Sequence, residues 1–330
     1  MHKREPGIDL FRCLGLLFVT GLHGFLYNGF YGEIQGEELV WIATSFRWLF
    51  SGCNGMFMLL TGYLKTTKPL NRQYYRGLLT VLTGYTLTCL ISYPIRYFLF
   101  GERDGLALWI TRFFTFDGYG WYIGMYIGLI LFSPIINLAL GQMADRRGLL
   151  GIAGTMLALT ALPSLTPLHV LPEYWTALYP LTYYTIGAVI RRLDPALPSG
   201  CCLLGSIGTA CFMGLLSALT ARGGVFSDGF PQGGNGGFLT TVMVTFLFLG
   251  IYRLPLHRVF SKVLGWLSGG VFEGYLLSRL LDVWVYGCFP GLHSPEFYPI
   301  LFLCATVPIF CISLLCGKAV HSLAEKIADT

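Results

Sequence analysis

The first hydrophobic segment of the chain, residues 7–25, contains three ionisable side chains: Asp9, Arg12 and His23. A charged group at the centre of a bilayer costs about 2.5–3.5 kcal/mol on insertion scales. Asp9 and Arg12 lie three positions apart, so they share a helix face and can pair near one end. His23 follows Arg12 by about three turns, or roughly 16 Å, on the same side. The segment thus combines a phosphate-type cation with an acid–base group predicted near mid-membrane, although a histidine packed in the core fits equally well.

Further polar residues interrupt other hydrophobic segments. Asn54 lies in the second segment, and Glu273, Arg279 and Asp282 lie in the ninth. Arg279 and Asp282 can pair as neighbours three positions apart. Glu273 has no partner nearby in sequence, so it must pair across helices, remain protonated or face water. These buried polar groups are candidates for function.

Histidines and aromatic residues divide into two groups by position. His23 is the histidine predicted to lie deep in a hydrophobic segment, whereas His321 and the other four fall in tails or connections and are predicted to be solvated. The stretch GYGWYIGMYIG contains Trp121 and Tyr122 near the outer end of the fourth segment. An aromatic belt at the membrane interface is the simplest interpretation of such residues.

The composition predicts an all-α, polytopic integral membrane protein. Of its 330 residues, 54% are hydrophobic and 12% are charged, about half the charge of an ordinary globular domain. Apolar stretches close to the length of a bilayer span recur along the whole chain. About ten spans are predicted, over residues 8–28, 40–63, 76–99, 119–140, 148–163, 174–190, 201–220, 238–252, 263–286 and 297–317. Residues 1–330 are predicted to form a single membrane domain, with the short segment 106–116 at the outer interface.

The distribution of Lys and Arg predicts the orientation. The basic connections alternate with poorer ones, and those on one side contain Lys3, Arg4, Lys65, Lys68, Arg72, Arg76, Arg146, Arg147, Arg191, Arg192, Arg253, Arg258, Lys262, Lys318 and Lys326. The exceptions are Arg103, Arg112 and Arg222. The positive-inside rule then places both termini in the cytoplasm. We expect a multi-pass protein of a bacterial cytoplasmic membrane, with the first segment retained as a span and the glycine-rich stretch 223–237 in an outer loop.

Several other classes of protein are disfavoured. The chain has no basic block with interleaved aromatic residues, so nucleic acid is not an expected partner. Its ten cysteines are scattered and include no CxxC, which argues against a disulfide framework or a metal site. The glycine-rich stretch lacks the GxxxxGK[ST] pattern of a phosphate loop.

The ordered set of motifs resembles the acyltransferase 3 family of integral membrane O-acyltransferases. IDLFRCLGLLFVTGLH resembles its first-helix signature, in which ten residues separate an arginine from a histidine. FMLLTGYL and KPLNRQYYRGLL resemble the end of the second helix and the basic loop after it. WYIGMYIGLILFSPIIN resembles the central Trp-Tyr helix, and LGWLSGGVFEGYLLSRLLD resembles a late segment of the family. Together these motifs extend over nearly the whole chain.

The sequence also departs from the family pattern. The basic loop usually reads R-x-x-R, whereas Arg72 and Arg76 are four positions apart. Many members have histidine where this chain has Ser278, and we expect no counterpart in these 330 residues of the additional soluble domain that some relatives carry.

The resemblance implies transfer of an acyl group, usually acetyl from acetyl-CoA, to a hydroxyl of a glycan or lipid-linked sugar. The implied catalytic residues are His23, Arg12, Glu273 and Asn54, and the implied donor-binding residues are Arg72, Arg76, Arg12, Trp121 and Tyr122. Arginines suit the phosphates of coenzyme A. A neutral imidazole can accept the proton of the attacking hydroxyl, and an arginine or Asn54 can stabilise the oxyanion. No metal is implied.

Two other functions agree with the same polar helices. A transporter or flippase would use them as a pathway, although no inverted repeat is evident in the sequence. A sensor or scaffold without chemistry is disfavoured by the embedded arginine and histidine. The sequence leaves open the acceptor, the acyl chain, direct transfer against an acyl-histidine intermediate, and whether the chain forms a homo-oligomer.

Overall fold

A computed structural model of the protein describes residues 5–27, 30, 39–116, 120–164, 171–220, 234–288 and 298–329. These residues form helices and short helical turns, with no β-strand among them. The helices are α1 (Pro6–Tyr27), α2 (Leu39–Ser51), α3 (Cys53–Lys65), α4 (Arg72–Leu99), α5 (Leu106–Thr115), α6 (Trp121–Gly141), α7 (Arg146–Ala161), α8 (Tyr179–Leu193), α9 (Ser199–Thr220), α10 (Phe238–Ile251), α11 (Arg258–Leu267), α12 (Val271–Gly287), α13 (Tyr298–Leu301) and α14 (Val307–Asp329). The all-α prediction is confirmed for this part of the chain.

Five helical segments of the described residues are long and apolar enough to cross a membrane. They are Pro6–Tyr27, Arg72–Leu99, Trp121–Gly141, Ser199–Leu219 and Phe302–Ile327. The protein is therefore a multi-pass membrane protein. Ten spans with cytoplasmic termini remain a prediction, as does the outer loop 223–237, of which residues 223–233 lie outside the described residues.

Two of the predicted spans are each divided into two helices. Residues 40–63 divide at Gly52, which separates α2 from α3. Residues 263–286 divide at a 3₁₀ turn, Ser268–Gly270, which separates α11 from α12. A Cβ on Gly270 would overlap the backbone of Lys318 in α14, so a close helix–helix approach fixes this break.

Helix α1 is the centre of the bundle. Over its most apolar 18 residues 56% are buried, against 22–39% in the other four candidate spans. Most of the other helices form three groups whose members pack on one another: α2, α9 and α10; α4, α12 and α14; and α3, α6, α7 and α8. Helix α1 contacts all three groups, through α2 and α10, through α12 and α14, and through α3. The rings of Phe11 and Phe248 meet edge to face at 5.0 Å, which ties α1 to α10. The central position explains how α1 can hold ionisable groups, because neighbouring helices supply their partners.

The closest helix pair near the site is α3 with α8. A Cβ on Gly62 would overlap the carbonyl oxygen of Tyr184, and a Cβ on Gly187 would overlap that of Leu59. Small residues allow such close backbone approach between membrane helices. This contact fixes the position of α3, one face of which forms the wall of the cavity described below.

Candidate active site

A cavity of about 280 Å³ lies between α1, α3, α6 and the start of α12, near the lower end of the size range of ligand pockets. One face of α3 forms its longest wall, from Asn54 through Phe57 and Thr61 to Lys65. Lys65 follows Asn54 by eleven positions, which corresponds to about 16 Å along the helix. The cavity is therefore elongated and runs along the helix axis.

Three cations line one end of the cavity: Arg12, Lys65 and Lys68. The charge pattern of the sequence predicts this end to be cytoplasmic. The Lys65 Nζ donates to the backbone oxygen of Tyr74 at 3.0 Å and lies 4.4 Å from the centre of its ring. Lys65 follows the predicted span 40–63, and burial together with the charge of Lys68 lowers its pKa to about 8. This end suits a polyanion, whose charge would favour the protonated lysine.

Aromatic rings and one amide form the inner walls. Tyr122, Tyr126 and Tyr275 line the cavity with Asn54. Tyr122 is buried and meets Phe57 and Tyr275 with ring centres 6.0 Å apart in each case. Tyr122 therefore faces the interior of the bundle, although an aromatic belt was the simplest prediction for it. Trp121, 49% exposed, is not among the cavity residues.

His23 lies beyond the end of the cavity that is opposite the three cations, and it pairs with Asp282. Val19, one turn before His23 on α1, lines the cavity. The Nδ1 of His23 forms a hydrogen-bonded pair with the Oδ2 of Asp282 on α12. The side chain of Asp282 is fully buried, whereas that of His23 is 22% exposed. His23 lies four residues before Tyr27, the last residue of α1, and its position near mid-membrane remains a prediction.

The pairing defines which imidazole nitrogen can do chemistry. In the neutral histidine one ring nitrogen donates and the other accepts. A carboxylate beside Nδ1 favours the tautomer in which Nδ1–H donates to Asp282, which leaves Nε2 as the acceptor. A general base oriented by a buried carboxylate is the arrangement that hydrolases and transferases use to activate a hydroxyl.

Glu273 lies in a different part of the bundle. Its Oε1 is 2.9 Å from Nδ1 of His321 in α14, so it pairs across helices, one of the three alternatives predicted for it. His321 Nε2 in turn lies 3.3 Å from Glu325. Glu273 and Asp282 are nine residues apart on α12, about 14 Å along the axis and on opposite faces. The structure therefore separates Glu273 from His23, and it corrects the prediction that His321 is solvated.

The two arginines of the basic loop lie outside the cavity. Arg72 and Arg76 are exposed in the first turns of α4, and the cavity is lined instead by Lys65 and Lys68. The sequence placed Lys65, Lys68, Arg72 and Arg76 in one basic loop and did not indicate which of them line the cavity. Helical spacing was a usable signal, because Lys65 lies four residues after Thr61 and so continues the cavity face of α3. No comparable signal linked His23 to Asp282, 259 positions apart.

The fold and the site together define a multi-pass membrane protein in which an elongated cavity leads from a cluster of cations towards a histidine–carboxylate pair. A family model described as "Acyltransferase domain", that of the acyltransferase 3 family, matches residues 5–318. The chain belongs to this family, and with its apolar helices it is a membrane acyltransferase. No curated protein and no solved structure matches the chain significantly.

Proposed function

We propose that the protein transfers an acetyl group from cytoplasmic acetyl-CoA to a hydroxyl of an extracytoplasmic or lipid-linked glycan of the bacterial cell envelope. The observation that carries the proposal is the cavity. It begins at Arg12, Lys65 and Lys68 and reaches Val19, one turn from His23. Three cations suit the phosphates of coenzyme A, and the elongated shape suits the flexible arm that carries the acyl group.

His23 acts as the general base in this proposal. The hydroxyl oxygen of the acceptor attacks the thioester carbonyl while its proton moves to Nε2 of His23. The carbon–sulfur bond then breaks, and the proton passes from Nε2 to the departing thiolate of coenzyme A. Asp282, held against Nδ1, keeps the ring oriented and stabilises the imidazolium between the two steps.

The oxyanion that forms at the carbonyl needs a donor. Asn54 lies in the cavity wall, and its side-chain amide is a neutral donor that can supply this hydrogen bond. Transfer through an acetyl-histidine gives the same products by two steps and differs only in whether the acetyl group rests on Nε2. Trapping labelled acetyl-protein at low temperature distinguishes the two routes.

The test of this function is acetyl-CoA turnover by the purified protein in detergent. Radiolabelled acetyl-CoA is supplied alone and with candidate glycans, and free coenzyme A and labelled glycan are both measured. We expect coenzyme A to be released only when an acceptor is present. The amount of free coenzyme A should equal the amount of labelled glycan. A protein that binds acetyl-CoA but yields neither product with any acceptor class would count against the proposal.

One observation favours a second candidate, a proton-coupled transporter. Buried Glu273, partly buried His321 and exposed Glu325 form a chain of hydrogen-bonded or paired groups that leads from the interior to the surface. Such chains mark proton relays in transporters. Uptake or efflux of a labelled sugar precursor by proteoliposomes, abolished by Glu273→Gln and independent of coenzyme A, would support this candidate over the acyltransferase.

A further inference from the structure

Helix α11, Arg258–Leu267, has an exposed apolar face. Val259, Phe260, Val263 and Trp266 are between 48% and 64% exposed, while Leu264 and Gly265 are buried towards α1. The sequence assigned residues 263–267 to the ninth span, but α11 is a separate ten-residue helix. A short helix with bulky apolar residues on one face and cations on another is typical of helices that lie in the plane of the membrane interface.

A basic groove borders this apolar face. The groove has a volume of about 600 Å³ and lies between α11, the start of α1 and α14. Arg258, Lys262 and Lys318 line it, and none of the three side chains makes an ion pair or hydrogen bond with another described residue. Among the described residues that line the groove, the one acid is Asp9, which is buried and accepts a hydrogen bond of 2.6 Å from Ser268. The groove therefore carries an uncompensated positive charge beside an apolar surface.

We propose that this groove binds the headgroup of an anionic phospholipid, with the acyl chains lying along the apolar face of α11. A lipid satisfies both features at once, because its phosphate meets the cations while its chains cover Phe260, Val263 and Trp266. A soluble phosphate would leave that face uncovered. Cations close to a membrane surface each contribute about 1 kcal/mol to binding of anionic lipid.

The groove is separate from the cavity assigned to the acyl donor. Asp9 and Ser268 lie between them, since Asp9 lines the groove, Ser268 lines the cavity, and the two are hydrogen-bonded. The lipid proposal therefore does not depend on the acyltransferase mechanism, and each can fail without the other.

The test is native mass spectrometry of the purified full-length protein with equal amounts of phosphatidylglycerol and phosphatidylcholine. We expect the wild type to retain phosphatidylglycerol preferentially, and Arg258→Gln/Lys262→Gln to lose about tenfold or more of that preference. The matched control is Arg146→Gln/Arg147→Gln, which removes two exposed cations of α7 on the same predicted side and should retain the preference.

Three results would overturn the proposal. The first is that the wild-type protein, measured alone, shows no preference between the two lipids. The control could lose the preference as fully as the groove variant, which would reduce the effect to general surface charge. Coenzyme A could displace the retained lipid at stoichiometric concentration, which would assign the groove to a soluble nucleotide phosphate instead.

Discussion

Asp282 gives His23 a partner that fixes the orientation of its ring. A buried carboxylate without a partner would be expensive in a bilayer, and the hydrogen bond between Nδ1 and Oδ2 offsets part of that cost. The sequence pointed to His23 because a histidine deep in a hydrophobic segment is rare, but it paired Asp282 with Arg279 by spacing alone. Contacts between distant helices depend on how the bundle packs, which spacing within one helix does not reveal.

Asp282→Asn should lower acetyl transfer by about tenfold or more, because the amide no longer stabilises an imidazolium and can impose the wrong tautomer on His23. Acetyl-CoA binding should be unchanged, since Asp282 is not among the residues that line the cavity. The matched control is Glu273→Gln, the same chemical change at the other buried acid of α12. If Glu273→Gln lost transfer while Asp282→Asn kept it, Glu273 and not Asp282 would be the acid on which transfer depends.

Lys65 should make coenzyme A binding depend on pH. Its pKa is lowered to about 8 by burial and by the charge of Lys68, so it is mostly charged below pH 8 and mostly neutral above it. Bound phosphate favours the charged form. The affinity for coenzyme A, measured by calorimetry, should therefore fall as pH rises from 7.5 to 9.5.

Lys65→Arg is the matched variant for this titration, because a guanidinium stays charged throughout the range. Its binding profile should be flatter than that of the wild type above pH 8. A wild-type profile as flat as that of the variant would exclude Lys65 from the phosphate site.

The helices themselves were largely predictable, whereas their interruptions were not. Hydrophobic length indicated α1, α4, α6 and α9 to within a few residues, because bilayer spans are long and uniformly apolar. The break at Ser268–Gly270 was missed because hydropathy is continuous across residues 263–286. The turn is fixed by Gly270 packing on the backbone of Lys318, a contact in space that leaves no mark on local hydropathy.

Gly62→Ala should destabilise the protein by about 1–3 kcal/mol, since a methyl group there overlaps the carbonyl of Tyr184 and forces α3 away from α8. The control is Gly128→Ala in α6, where an added Cβ meets nothing within 4 Å and helix propensity improves slightly. Thermal unfolding in detergent should show a lower midpoint for the first variant only. Equal midpoints would mean that the α3–α8 contact has room for a methyl group at position 62.

The molecule as a whole is organised around α1, which links the cation cluster to His23. The sequence indicated this polarity through the Lys and Arg distribution and through the family motifs. It did not indicate the cavity, because that space is created by α3, α6 and α12 meeting around α1. The donor-binding roles of Arg72, Arg76 and Trp121 remain predictions of the resemblance, since these residues lie outside the cavity lining.

The predicted orientation has a direct test by cysteine labelling on a cysteine-free background that retains turnover. Arg103→Cys, in the exposed connection before α5, should react with an impermeant maleimide in intact spheroplasts. Gln142→Cys, exposed after α6, should react only once the membrane is permeabilised. The reverse pattern would place the cation end of the cavity outside and exclude cytoplasmic acetyl-CoA as the donor.

His23 is proposed as the base to which the cavity delivers the acyl donor, and the whole mechanism depends on this role. The most direct measurement is acetyl-CoA turnover by His23→Gln together with acetyl-CoA binding by the same variant. An amide keeps a hydrogen bond to Asp282 but accepts no proton, so turnover should fall at least about 100-fold while the dissociation constant stays within about twofold of the wild type. Near-normal turnover in a folded His23→Gln protein would contradict the claim and leave His23 as a packing residue.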